Sequence, residues 1–186
     1  HTSNGAIDDE ADSEEEAFRM AKRFLSYLPG SVDEIPEKTA CNDPTDRREE
    51  MLLSVVPREP RKVYKMRPVI SAIFDQDSFF EIGRKWGKSI ITGLARLNGI
   101  PVAVFAEDPM IYGGAWTADS SRKLIRHCDL ASTFHLPLVH LVDCPGFLIG
   151  KQSEEQATIR FGSSALAALG QTTVPFCSVV IRKAFG

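Results

Sequence analysis

The chain has no apolar run approaching the ~18 residues a membrane span needs, so no transmembrane segment is predicted. It has no signal peptide either. The first residues are polar and then strongly acidic, without a basic start and an apolar stretch. Basic excess is also missing. The formal net charge is −3, which gives no support to a general nucleic-acid-binding role. Cysteine is sparse: the four, Cys41, Cys128, Cys144 and Cys177, contain no CxxC pair. Three lie in apolar surroundings and read as buried free thiols of a reducing cytosol. No Gly-x-Ser-x-Gly elbow is present. His1 is not an initiator methionine, and the chain is expected to be a fragment or a processed piece.

What is there is ordinary globular material, 43% hydrophobic and 25% charged over 186 residues. That is enough for one domain with a real core, or one domain and a tail. An acidic block, Asp8 to Glu16, reads as a solvated face at a helix start. Ser13 and Glu16 form a capping box, and Phe18, Ala21, Leu25 and Leu28 follow at helical spacing until Pro29-Gly30. One helix cannot bury that stripe alone, so it belongs against something else. Gly30 to Arg67 is rich in proline and charge and reads as a linker that wraps a surface, with one helical turn in Met51–Val56.

From Val69 the texture changes. Val69–Phe74 and Phe79–Ile82 read as short strands. Ser89–Leu97 and Val102–Phe105 flank Asn98-Gly99, a strong hairpin signal. Gly113-Gly114 interrupts. Thr117 or Asp119 then caps a helix to about Phe134, Leu138–Asp143 is a strand, Ser153–Leu169 a helix, and Phe176–Ile181 a last strand. The order predicts an α/β layered architecture.

The most informative stretch is Leu141 to Gly150, a buried strand that ends in Asp143-Cys-Pro-Gly-Phe147. Ser153 with Gln156 forms a capping box that opens the next helix. Such a turn can bring backbone N–H groups to a pocket where negative charge develops. A phosphate loop is disfavoured: Gly146 and Gly150 are separated by three residues rather than four, and Gln152 stands where magnesium needs Ser or Thr. His127, Cys128, Asp129, His135 and His140 lack a clean metal-ligand spacing, and no metal is expected. Cys144 would need a base, and Pro145 turns the chain away from His140. No convincing side-chain acid or base emerges, which leaves backbone at Gly113-Gly114, Pro145-Gly146 and Gly186.

Five segments in order resemble the carboxyltransferase (beta) subunits of biotin-dependent acyl-CoA carboxylases, of the propionyl-CoA and methylmalonyl-CoA type. They are Phe24-Leu-Ser-Tyr-Leu-Pro29, Asp43-Pro with Tyr64-Lys-Met-Arg67, Ile91-Thr-Gly-Leu-Ala-Arg-Leu-Asn-Gly-Ile-Pro101, Asp143-Cys-Pro-Gly-Phe147, and Val180-Ile-Arg-Lys-Ala-Phe-Gly186. The resemblance implies a crotonase-like fold of ββα units stacked in a superhelix. It further implies the tail of a first carboxyltransferase domain (1–30), an interdomain linker (31–66) and an incomplete second domain (67–186).

The implied activity is carboxyl transfer between carboxybiotin and the α-carbon of an acyl-CoA, through an enolate held by backbone oxyanion holes. Pro145, Gly146 and Phe147 would line the biotin side, with Gly113, Gly114 and Phe185 beside them. Gly186 would begin the segment whose amides hold the ureido oxygen, most of which would lie past Gly186. Phe185 stands where the family usually has Tyr, and Trp116 where a smaller apolar residue is common. No Ala-Met-Lys-Met motif occurs, so biotin would arrive on a separate carrier. Implied partners are the biotin carboxylase and carrier subunits, an acyl-CoA, and further copies of the subunit, with the active site between copies and this piece inactive alone. The implied compartment is the cytoplasm, or the mitochondrial matrix in a eukaryote. Alternatives are a non-catalytic scaffold subunit, or a hydrolase or hydratase on the same fold.

Overall fold

The computed structural model describes residues 1–185. Its centre is a five-stranded sheet in chain order: β1 (Phe80–Ile82), β2 (Ile90–Leu97), β3 (Ile100–Glu107), β4 (Leu138–Cys144) and β5 (Phe176–Ala184). The first three strands pair antiparallel and the last three parallel. The β2–β3 hairpin turns at Asn98 and Gly99, both at positive φ (51° and 77°) as a two-residue primed turn demands.

Helices cover both faces, which is why the central strands read as nearly unbroken apolar runs. Ile90, Leu94, Ala103, Phe105 and Leu138 point to one face. There they meet Leu124, Cys128 and Ala131 of α3 (Ala118–Thr133) and Ala165 of α5 (Thr158–Gln171). Ile91, Ala95, Val102, Val104, Ala106 and Leu141 point to the other. They meet Tyr64 and, from α2 (Met66–Ile73), Met66, Val69 and Ile70. No helix among the described residues is long and apolar enough to cross a membrane.

Three elements differ from the sequence reading. The stretch predicted as a strand from Val69 to Phe74 is helix α2. Its β-branched residues favour a strand, but Met66, Val69 and Ile70 share one helical face, and burying that face outweighs propensity. Pro68 is tolerated because the first helical turn needs no N–H donors. The helix predicted over Ser153–Leu169 is two helices, α4 (Lys151–Glu155) and α5, parted at Ala157 with φ 56°. Ser153 is therefore not a cap. It is buried inside α4, and Gly150 takes the N-cap position. Buried thiols were also over-assigned: Cys128 is buried, Cys41 and Cys144 are half-buried, and Cys177 is exposed, all four free.

Helix α1 (Glu14–Leu25) starts where predicted, with Ser13 Oγ accepting from the Glu16 amide at 3.1 Å. Of its stripe only Leu28, just past the helix end, packs on the body. Phe18 and Leu25 are 58% and 62% exposed. The inward face is instead Arg23, Phe24 and Tyr27: Arg23 donates to the Asp77 and Phe79 carbonyls and the Tyr27 hydroxyl to that of Ser78. Ahead of it, Asp8 pairs with Arg126 and Glu10 with Lys85. Residues 31–66 run over the surface. Thr39 donates to the Gly99 carbonyl, and Arg47 reaches the carbonyls of Ala72 and Phe74.

Candidate active site

The C-terminal ends of β3, β4 and β5 lie side by side, and the polar residues that end them converge. Glu107 ends β3 with no exposed surface. A buried carboxylate must be paired, and Glu107 has three donors. Its Oε1 accepts from the Trp116 indole Nε1 at 3.0 Å and faces His140 Nε2 at 2.9 Å. Its Oε2 accepts from the Asp143 amide at 3.0 Å. Burial alone would raise this carboxyl's pKa. His140, the Asp143 amide and the indole reverse that and hold it below the usual value. His140 also stacks on Phe105 at 3.9 Å.

Asp143, near the end of β4, is equally buried. It accepts from the Tyr64 hydroxyl at 2.9 Å, from Arg182 at 3.0 Å and from the Lys183 amide at 3.2 Å. Burial and the neighbouring Asp143 raise the Tyr64 pKa, so its hydroxyl stays protonated and donates. Arg182 also holds the Lys62 carbonyl at 2.7 Å. A second cluster lies on the α2 side, where Arg67 grips Glu81 through two nitrogens (2.6 and 2.8 Å) and Asp108 through the third (2.7 Å).

On this base sit the two glycine turns, and the structure brings them together. Residues 112–114 form one 3-10 turn after β3, with Tyr112, Gly113 and Gly114 all at positive φ. A Cβ on Gly114 would lie 2.6 Å from the Asp143 carbonyl oxygen and 3.0 Å from Glu107 Cβ, so only glycine lets the turns approach this closely. The Trp116 amide donates to the Gly146 carbonyl at 3.0 Å, and the Leu148 amide to that of Trp116 at 2.8 Å. Gly113 and Gly146 face open space: a Cβ on either meets nothing within 4 Å. A cavity of about 620 Å³ nearby is lined by Tyr112, Thr117, Leu148, Gln152 and Gln156 among others, but by none of Gly113, Gly114, Pro145, Gly146 or Phe147.

Most amides of these turns are spent within the protein. Those of Gly114 and Ala115 donate to the Ile111 and Tyr112 carbonyls, and that of Gly146 to Cys144 Sγ at 3.4 Å. Trp116 and Leu148 are also committed, which leaves the amides of Gly113 and Phe147 as turn donors with no protein acceptor among the described residues. Trp116 does not crowd the open side. It is 5% exposed and points inward, edge-on to Phe147 with ring centroids 5.9 Å apart. Phe185 is exposed, and its amide donates to the Cys144 carbonyl at 3.0 Å. Gly186 lies outside the described residues.

The side-chain alternatives read differently in three dimensions. Burial pushes the Cys144 thiol up to about 11, the wrong direction for a nucleophile. His140 is engaged by Glu107, and Glu154 is exposed on α4. No group of three or more His, Cys, Asp or Glu among the described residues is arranged to hold a metal. Sequence reasoning missed Glu107, Tyr64 and Arg182, and the carboxylate of Asp143. One signal was available for Glu107, an acid closing the wholly apolar run Val102–Ala106 of a strand read as buried.

Comparison with known proteins agrees with this geometry. The carboxyl transferase domain family matches residues 1–186. The propionyl-CoA carboxylase beta chain of Roseobacter denitrificans is 37% identical over 100% of this chain and 37% of its own. Among solved structures, the transcarboxylase 12S hexamer core with methylmalonyl-coenzyme A and methylmalonic acid bound superposes with a TM-score of 0.93. It is 35% identical, over 98% of this chain and 35% of that one. A single-chain, multi-domain long-chain acyl-CoA carboxylase gives a TM-score of 0.83 at 30% identity, over 96% of this chain and 17% of its own. The chain thus spans just over a third of the length of the curated relatives it matches, 36% and 37% in the first two. Its fold is the crotonase-like fold of those structures, and the chain belongs to the carboxyl transferase domain family, of the propionyl-CoA carboxylase beta type.

Proposed function

We propose that the protein to which this chain belongs transfers a carboxyl group between carboxybiotin, delivered on a separate carrier, and the α-carbon of an acyl-CoA. The observation that supports this most is the pairing of two glycine turns at the strand ends, with open space in front of Gly113 and Gly146. The room there fits a flat ureido ring, which main chain can approach only where no Cβ intervenes.

When bound, biotin supplies the carboxyl group and, at its ureido nitrogen, a base for the substrate's α-proton. This chain's residues do the rest. Pro145, Gly146 and Phe147 form one wall of the biotin pocket and Gly113-Gly114 the adjoining one, with Phe185 at its edge. Trp116 and Phe147 lock the walls together and exclude water behind them, which strengthens any donor aimed into the site. Most of the turn amides are committed to protein acceptors, and further donors for the ureido oxygen come from the segment that Gly186 begins. Glu107 and His140 hold each other within the sheet, at 2.9 Å, and take no proton from substrate.

The domain division at residues 30 and 66 belongs to the same reading. The exposed Phe18 and Leu25 on α1 then face the first carboxyltransferase domain, and the active site forms between copies of the subunit. The acyl-CoA, the biotin carboxylase and carrier subunits, and the compartment come with that assignment.

The test is direct. The whole protein is mixed with a carboxyl-labelled biotin carrier and a short acyl-CoA. Label in the acyl-CoA product supports the reading, and none with any acyl-CoA or carrier overturns it. The 186-residue chain alone is expected to transfer none.

A further inference from the structure

The pairing between β4 and β5 breaks at one place. Val142 is opposite Val180, but the next partners are Cys144 and Ala184, so two residue steps on β4 face four on β5. A bulge of this kind bends a strand and re-aims the residues beyond it. It also leaves buried main-chain groups without ladder partners, and these must be satisfied otherwise. Here Asp143 does so. Its carboxylate accepts from the Lys183 amide at 3.2 Å, inside the bulge, and from Arg182 Nη2 at 3.0 Å. The Tyr64 hydroxyl fixes it from the α2 side at 2.9 Å. Its own amide is anchored to Glu107, which also holds Trp116 and so the first glycine turn. Immediately after the bulge the ladder resumes, with the Phe185 amide on the Cys144 carbonyl at 3.0 Å.

We infer that Asp143 is a positioning residue: with Tyr64 and Arg182 it fills the β5 bulge and fixes the run of β5 from Arg182 to Phe185 beside the Cys144–Gly146 turn. Asp143 touches neither substrate nor biotin. It fixes the path of β5 through Arg182 to Phe185, and Glu107 ties the glycine turns to the same base through the Asp143 amide and Trp116. This inference rests on the proposed carboxyl transfer for its kinetic consequence, but not for its structural one.

The experiment compares the whole protein with its Asp143→Asn and Tyr64→Phe variants. Amide exchange is followed by mass spectrometry in peptides covering Val180–Phe185, and carboxyl transfer kinetics are measured in the same preparations. Exchange in that segment is expected to rise in both variants, more in Asp143→Asn. Turnover is expected to fall about tenfold in Asp143→Asn and less in Tyr64→Phe. The acyl-CoA KM should stay within about twofold, because the proposed role of Asp143 is on the biotin side. Unchanged exchange, or a loss expressed only in the acyl-CoA KM, overturns the inference. If Asp143→Asn does not fold, Tyr64→Phe decides alone by the same two readouts. If the wild-type protein transfers no carboxyl group, the functional reading fails, and the exchange measurement still decides whether Asp143 holds the bulge.

Discussion

Single residues in this protein are constrained by burial more than by reactivity. His127 on α3 is buried against Lys123, and both burial and that cation push its pKa down to about 3. Unfolded, the same imidazole takes a proton below its ordinary value of 6.5. As pH falls from about 6.5 towards 3, the unfolded chain therefore binds a proton the folded one does not, and stability drops by up to ~1.4 kcal/mol per pH unit. His127→Gln is expected to flatten urea-unfolding free energies across that window. A profile as steep as wild type would show that other groups dominate. At Trp116 the indole donor to the Glu107 carboxylate is at stake. Trp116→Phe should cost about 1.5–3 kcal/mol, the usual worth of a hydrogen bond to a charged group, read as a lower urea midpoint. Neither role was legible in the sequence. A histidine within a helix looks the same whether it faces water or a core, and Trp116 stood out only as larger than the residue common at that place, with nothing to show that it points inward.

At the scale of elements, local signals were read well where one segment determines its own shape. Asn98-Gly99 makes the β2–β3 hairpin, Ser13 caps α1, and Thr117 caps α3 with Ser120 completing the box. The misreadings share a cause: each depended on what the segment packs against. Val69–Ile73 has strand composition yet lies on the sheet as a helix. The α4–α5 break at Ala157 has no glycine or proline to announce it. The α1 stripe is genuine, but the sheet takes a different face of the helix. Helix α5 also sets the Pro145–Phe147 turn, because Gly162 lies directly under the Phe147 ring and a Cβ there would overlap it. Gly162→Ala should therefore displace Phe147, destabilise the fold by about 1–3 kcal/mol as overpacking does, and lower turnover. Adding Phe147→Leu should recover part of the stability. A double-mutant cycle with no coupling between the two positions would place the turn out of the helix's reach.

For the whole molecule, the sheet is a frame that brings three strand ends, two glycine turns and two buried carboxylates to one edge. The turns could be found in the sequence because glycine and proline mark them. The carboxylate network could not, since its members are spread from Tyr64 to Lys183 and meet only after β3, β4 and β5 align. That division suits a site that works by shape and main chain, with polar side chains behind it as supports. The central claim is that the open space before Gly146 receives the biotin ring. It is tested most directly by Gly146→Val in the whole protein, with free biotin binding measured by calorimetry beside carboxyl transfer to acyl-CoA. Loss of both biotin binding and transfer, with acyl-CoA binding near wild type and thermal stability lowered by the strain of a β-branched residue at the Gly146 φ of 109°, is the expected result. Biotin binding that survives the substitution would contradict the claim.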